Sequence, residues 1–342
     1  MRKEATMLQA LNDTEGKAVD WWFMYKLPDE CEIKGTSGPV PDNGFGYLYY
    51  DCNGQNLAIS TNLLGETKGA LYNTLQQLFG PGADKDTGWI LYNDEIPGAK
   101  QNDETKGHTK GVLAFNKNTD SAFWLLHSTP RFPIPGNAVF PEDEKIYGQT
   151  FICITLKDFQ TAEQLAGVML DQQEPQVYGC QIPGSIPQDS NIYTLSKGDI
   201  LPDPAEPTDL PFYSKGGKEF LCLAKNRHWG EDFWIDFVGP TLKTDLDIET
   251  WRRGTVPPDE DSDKTDDVVD VLYVNLQHIG LDYEWHYTKD HSKWAVSDKT
   301  GGWVCIADIN RMVSQEKRGG GAICFQEPNL QKPLRAAYQL KK

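Results

Sequence analysis

Two stretches of this chain constrain it more than any other: HTKGVLAFNKNTDSAFWLLH, beginning at His108, and HSKWAVSDKTGGWVCIADIN, beginning at His291. They align without a gap. Each opens on His-x-Lys, runs into an apolar strand, turns through polar residues and returns as a second apolar strand. In each, a side chain able to hydrogen-bond stands seventeen residues past the lysine, His127 in the first copy and Asn310 in the second. Identity between the copies is low, so spacing and chemistry carry the correspondence. A duplication of this kind predicts two similar halves packed about a pseudo-two-fold axis, with both His-x-Lys pairs at one cleft.

The remaining elements fit that division. Strands are expected at 20–28, 46–51, 88–94, 107–115, 121–128 and 147–156, and helices at 67–79 and 161–170. The proline-rich 201–211 reads as a loop between halves 1–206 and 207–342. Further elements follow at 219–225, 231–242, 267–279, 291–297 and 302–310, and a strand after the glycines at 319–321. Trp21, Trp22, Phe23 and Tyr25 read as core. In a strand, alternate residues share a face, so His108 and Lys110 are expected to point the same way.

What a paired His-x-Lys can do is cleave a phosphodiester. One neutral imidazole attacks phosphorus to give a phosphohistidine. The other, protonated, donates to the leaving oxygen and later activates water. Lys110 and Lys293 stabilise the non-bridging oxygens, in place of a metal, as charge develops. His127, Asp308 and Asn310 are supporting candidates, and Arg311 is a candidate phosphate contact by position. Arg318 is open between phosphate contact and ion pair. Lysines beside the imidazoles push both towards neutral, which predicts a bell-shaped profile with an acidic optimum. His228, His278 and His286 read as structural. No metal or other cofactor is required by this chemistry.

Charge argues the other way at first sight. Asp and Glu number 50 against 33 Lys and Arg, a formal net charge of −17, which opposes a phosphate-rich partner at neutral pH. Near pH 5 the opposition fades, so the acidic surplus is expected away from the cleft, with affinity rising as carboxylates protonate. The segment VPPDEDSDKTDD has D-x-D-x-D spacing, but Lys264 and Asp270 stand where a calcium loop needs glycine and glutamate, so it reads as a solvated loop. Seven cysteines show no C-x-x-C spacing, and an odd count leaves a thiol free unless chains are bridged. No apolar run is long enough to span a membrane, no amphipathic membrane-facing helix stands out, and the N-terminal residues show no signal peptide. The sequon at Asn12 is placed in a mobile tail.

GHTKGVLAF, FWLLHSTPRFP, YGQTFICI, DHSKWAVS, WVCIADINR and RGGGAIC, with VDWWFMYKLP and GWILYND, together resemble the deoxyribonuclease II family from about residue 19 to 326. The resemblance implies a phospholipase D-like fold of α+β or α/β class. It has two similar mixed β-sheet halves flanked by helices, and the site lies at their pseudo-two-fold interface. It also implies metal-independent acid endonuclease action on double-stranded DNA, leaving 3′-phosphate and 5′-hydroxyl ends. Further implications are a clamp around DNA from a homodimer, no membrane partner, and a secreted, periplasmic or otherwise acidic compartment. His108, Lys110, His291 and Lys293 carry over as catalytic, and His127 matches the histidine of the family's H-S-x-P segment. Cys305 and Cys324 match a disulfide pair of the family, and Cys153 another half-cystine. In the wider superfamily an aspartate follows H-x-K after four residues. Asp298 fits this in the second copy, whereas Phe115 stands there in the first. Ala307-Asp308-Ile309-Asn310 represents the superfamily's G-S-x-N segment loosely. A phospholipase or other phosphodiesterase of the same fold, and a catalytically inert binding module, are the alternatives.

Overall fold

A computed structural model of the protein describes residues 7–30, 43–54, 56–100, 103, 105–200, 206–258, 267–298 and 301–340. Asp259, Asp261, Asp263 and Lys264 of the acidic segment, and Cys31, lie outside the described residues.

Aromatic and β-branched runs with turn residues between them build two large sheets. The first has eight strands in the order Val177–Gln181, Gly88–Asn93, Lys110–Asn116, Ser121–His127, Gln149–Leu156, Trp21–Lys26, Tyr47–Asp51, Ala58–Ile59, antiparallel throughout. The second has nine. Its main path runs Glu284–His286, Val268–Asn275, Leu246–Glu249, Trp294–Ser297, Trp303–Ala307, Gly320–Gln326, Glu219–Lys225, Thr208–Tyr213, and Tyr338–Leu340 adds to Val268–Asn275. Laying the two His-x-Lys hairpins over each other aligns seven consecutive strands of one sheet with seven of the other. The duplication thus extends far beyond the hairpins that reveal it in the sequence.

Three expectations need correction. The sheets are not both mixed: among the described strands only the second sheet contains a parallel pair, Leu246–Glu249 with Val268–Asn275, an arrangement that a tight hairpin cannot join. Residues 208–211 are strand, not loop. Thr208–Tyr213 is an edge strand, where Pro211 costs no ladder bond. Asn12 is not in a loose tail. Its side chain accepts from Glu15 N and Lys17 N, and neighbouring Asp13 is buried, accepting from the Tyr47 hydroxyl and Ala70 N.

Strand alternation sorts side chains into layers. Trp21, Phe23 and Tyr25 point into the space between the sheets, with Trp124, Ile152, Phe220, Trp294 and Phe325. Trp22 and Met24 point outwards, under helix Ala70–Phe79. On the second sheet Ala295, Cys305 and Ala307 face outwards against Phe233–Leu242. Rings interlock across the middle layer: Trp21 lies 5.1 Å from Phe325 and Tyr25 6.3 Å from Trp294. Each such fully buried large side chain is worth about 1.5–3 kcal/mol. The four aromatics at 21–25 are accordingly core, at most 2% exposed. Helix Phe159–Val168, capped by Asp158 on Thr161 N, continues into a π-turn, Met169–Gln173. That turn sits against Gly319, where a Cβ would come within 2.6 Å of Gln173 O. Cys305 and Cys324 form a disulfide between adjacent strands, whereas Cys153 is a buried free thiol.

Candidate active site

Each His-x-Lys stands at the start of its strand, and each histidine is held by the other half. His108 N donates to Gly319 O at 2.8 Å, and His291 N donates to Gly148 O at 2.8 Å. Gly148 and Gly319 occupy the same place, immediately before the strands Gln149–Leu156 and Gly320–Gln326. At Gly148 a Cβ would meet the Asp290 carboxylate at 2.4 Å, so only glycine allows the approach. The lysines repeat the symmetry. Lys110 Nζ donates to His108 O at 3.4 Å and Lys293 Nζ to His291 O at 2.8 Å. His108 precedes the strand that begins at Lys110, so the pair is gathered by this backbone loop and not by the pleat.

The two imidazoles have different surroundings. His108 Nδ1 lies 2.5 Å from Asp308 O and its Nε2 3.4 Å from Asp94 Oδ2. Asp94 also pairs with Lys110, and with Arg318 at 3.5 Å. Burial alone would raise Asp94, but Lys110, His108 and Arg318 hold its carboxyl well below the usual range. His108 is pushed well below an ordinary histidine by burial and then by Lys110, with Asp94 opposing. His291 instead lies flat on Tyr147, ring centroids 3.9 Å apart and planes 7° apart, with Trp251 at 4.3 Å. Its Nε2 has no hydrogen-bond partner. Burial, followed by Lys293, Lys110 and Arg253, lowers it to about 2. Lys110 and Lys293 act on the histidine of the opposite half as well as on their own, which is the electrostatic mark of one shared site.

Lys293 and Asp308 move towards each other on the pH scale. Burial and then Lys110 lower Lys293 to about 7, and burial raises Asp308 to about 7. Asp308 Oδ1 accepts from Gly321 N at 2.8 Å, while Oδ2 is buried without a partner.

Not every sequence candidate belongs here. Cross-strand register sets Lys110 opposite His127 but Lys293 opposite Ala307, because the second hairpin is three residues shorter. The ungapped alignment therefore fails beyond the turn, and Asn310 is not the counterpart of His127. Asn310 lines a narrow crevice with Lys225, Asp232 and Arg311. His127 is fully buried between Phe132 and Phe151, and burial and then Lys110 lower it to about 3 against a backbone contact at Thr129. It is a neutral packing ring beneath Lys110. Arg311 is not a phosphate contact: it is 1% exposed, donating to Asp232 and Asp270 at 3.1 Å each and to Pro258 O. Arg318 makes the ion pair. Asp94, Trp251 and Tyr147 were missed, since each reaches an imidazole only through strand pairing.

The Deoxyribonuclease II family model matches residues 11–340. This chain belongs to the deoxyribonuclease II family. A putative deoxyribonuclease-2 of Burkholderia pseudomallei is 45% identical over 325 residues, 94% of this chain and 90% of the relative. Deoxyribonuclease-2 of Caenorhabditis elegans is 34% identical, covering 94% and 90%. Deoxyribonuclease-2-beta of Mus musculus is 32% identical, covering 94% and 89%. A solved yeast tyrosyl-DNA phosphodiesterase 1 mutant overlaps 68% of this chain and 69% of its own at 11% identity and a TM-score of 0.35, too loose a match to bear on the site. As a deoxyribonuclease II family member the protein is a hydrolase, a phosphodiesterase acting on DNA. No three His, Cys, Asp or Glu side chains cluster as metal ligands among the described residues, and no described helix is long and apolar enough to cross a membrane.

Proposed function

We propose that this protein is a metal-independent acid endonuclease of phospholipase D-like fold, with halves 1–206 and 207–342 each giving one His-x-Lys to a single site on double-stranded DNA. The observation that carries the reading is the reciprocal clasp of His108 and His291, combined with their unlike surroundings. His291, neutral and with Nε2 free, attacks phosphorus. The P–O5′ bond breaks, and His108 Nε2–H delivers its proton to O5′, leaving a 5′-hydroxyl and a phosphohistidine bearing the 3′ strand. His108, now neutral, takes a proton from water, whose oxygen attacks phosphorus. The P–N bond breaks and a 3′-phosphate departs. Lys110 and Lys293 hold the non-bridging oxygens, which is the charge stabilisation a metal gives elsewhere.

His108 suits the acid role because both its nitrogens face oxygens, a setting that only imidazolium satisfies with two donors. The bound phosphodiester adds negative charge against Lys110, Lys293 and Arg318 and so favours that proton. The acid range follows by sign. His108 must be protonated, and its lowered pKa removes the proton as pH rises. His291 must be neutral, and at about 2 it remains so at pH 5. Burial presses Lys293 towards its neutral form and Asp308 towards its protonated form, so rising pH takes positive charge out of the phosphate pocket or adds negative charge to it, and either change weakens substrate binding.

The test is plasmid cleavage in excess chelator between pH 4 and 8, with end-group analysis. Cleavage at acidic pH giving 3′-phosphate and 5′-hydroxyl ends is expected. Abolition by chelator, or the opposite end chemistry, overturns the reading.

A further inference from the structure

Two lysines outside both His-x-Lys pairs repeat with the fold. Lys26 ends the strand Trp21–Lys26, and Lys225 ends Glu219–Lys225. The strands are topological equivalents, and the register makes the residues equivalent too. Lys26 faces Gln149 and Lys225 faces Gly320, the residues that follow Gly148 and Gly319. Both lysines are 0% exposed.

Burying an ammonium is costly unless each of its three donors finds an acceptor. Lys26 Nζ donates to Leu27 O at 3.0 Å, Lys145 O at 2.5 Å and Tyr147 O at 2.6 Å. Lys225 Nζ donates to Gln315 O at 2.9 Å, Glu316 O at 2.8 Å and Arg318 O at 2.7 Å. Two of the Lys26 acceptors, Lys145 O and Tyr147 O, and all three Lys225 acceptors belong to equivalent loops. One carries Tyr147 and ends at Gly148, whose carbonyl accepts from His291 N. The other carries Arg318 and ends at Gly319, whose carbonyl accepts from His108 N. Tyr147 lies on the His291 ring, and Arg318 pairs with Asp94 beside His108. An apolar side chain would fill the same space without a desolvated charge, but it would leave those carbonyls free to turn.

We propose that Lys26 and Lys225 are a duplicated pair of positioning residues acting across the pseudo-two-fold axis, Lys26 fixing His291 and Lys225 fixing His108. The catalytic consequence rests on the two-histidine reading above; the positional one does not. Lys→Met at either site keeps the length and removes the donors. With histidines labelled by nitrogen-15 in the full chain, Lys26→Met accelerates amide exchange at His291 and leaves His108 unchanged, and Lys225→Met does the reverse. Each lowers kcat about a hundredfold with little change in KM, as a misplacement of about 1 Å does. Lys26→Gln and Lys225→Gln keep two donors, give milder effects in the same pattern, and serve where a Met variant does not fold. Equal exchange changes at both histidines, or none at either, overturn the proposal. Full cleavage by His291→Ala would instead sink the two-histidine reading and leave the exchange result standing.

Discussion

The two histidines occupy equivalent places in equivalent sheets, yet their neighbours differ in kind. Asn93 faces Lys110, and by continuation of its ladder Thr250 faces Lys293; the next residues are Asp94 and Trp251. The residues before the clasping glycines are Arg318 and Tyr147. An acid and a base therefore attend His108, where two aromatic rings attend His291. Duplication supplied the frame, and four side chains made the halves unlike. Two identical imidazoles would titrate together, whereas a nucleophile and an acid must differ in protonation at one pH.

Removing the histidines tests that division most severely. His291→Ala is expected to abolish cleavage and the trapping of an acid-labile, alkali-stable phosphoenzyme, a loss beyond about 10⁴-fold, whereas general acid catalysis contributes about 10²–10⁴. DNA carrying sulfur at the scissile 5′ position, a leaving group that needs no proton, separates the roles. His108→Ala recovers a single-turnover burst of strand cleavage on that substrate but not steady turnover, because the same imidazole activates water in the second step, and His291→Ala recovers neither. Recovery by His291→Ala alone would exchange the assignments.

Arginines next to the site part along a different line. Arg311 is buried between Asp232 and Asp270, so Arg311→Met leaves Asp232 without its cation and Asp270 with Arg252 alone, and is expected to destabilise the fold by about 3–5 kcal/mol. Denaturant unfolding measures this. Arg318→Met touches the His108 side alone, and its loss should appear in kcat with the unfolding midpoint nearly kept.

Asp94→Asn is the next smaller effect, about ten- to a hundredfold in kcat near pH 5. Asp94 is the group that raises the His108 pKa against burial and Lys110. Without its charge the proton is lost at lower pH, so the alkaline limb of the kcat profile moves down. A limb that stays in place would remove Asp94 from the mechanism.

These residues also mark where the sequence stops being readable. The hairpins, their lysines and the aromatic core follow from local alternation, and local alternation survives folding. Asp94, Trp251, Tyr147 and Arg318 sit at element ends and reach an imidazole only once strand order is known, which no local pattern carries. Asn310 was misassigned because hairpin length differs between halves while the strands do not, so equal spacing in the chain became unequal register in the sheet. Lys26 and Lys225 close runs that read as core, and only topology makes them equivalent. Arg311 stood beside a candidate residue in the chain, but both lie past the end of the strand Trp303–Ala307, where Arg311 is drawn into a buried carboxylate pair.

The aromatic side of the comparison can be tested alone with Trp251→Leu. Burial is the largest cause of the lowered His291 pKa, and Trp251 is one of the two rings that cover the imidazole. Opening that face to water raises the pKa from about 2 towards the ordinary value, while Lys293 and Lys110 still oppose protonation. A group that must be neutral then becomes partly charged in the working range, so the acid limb of the kcat profile moves up and the optimum narrows from below. At pH 5 the loss is about two- to fivefold, and near pH 6 it is smaller. His108 has no ring in the equivalent position, so the alkaline limb stays where it was. Movement of both limbs together would show that the two imidazoles titrate as one coupled pair, and the division of labour drawn from their surroundings would fall.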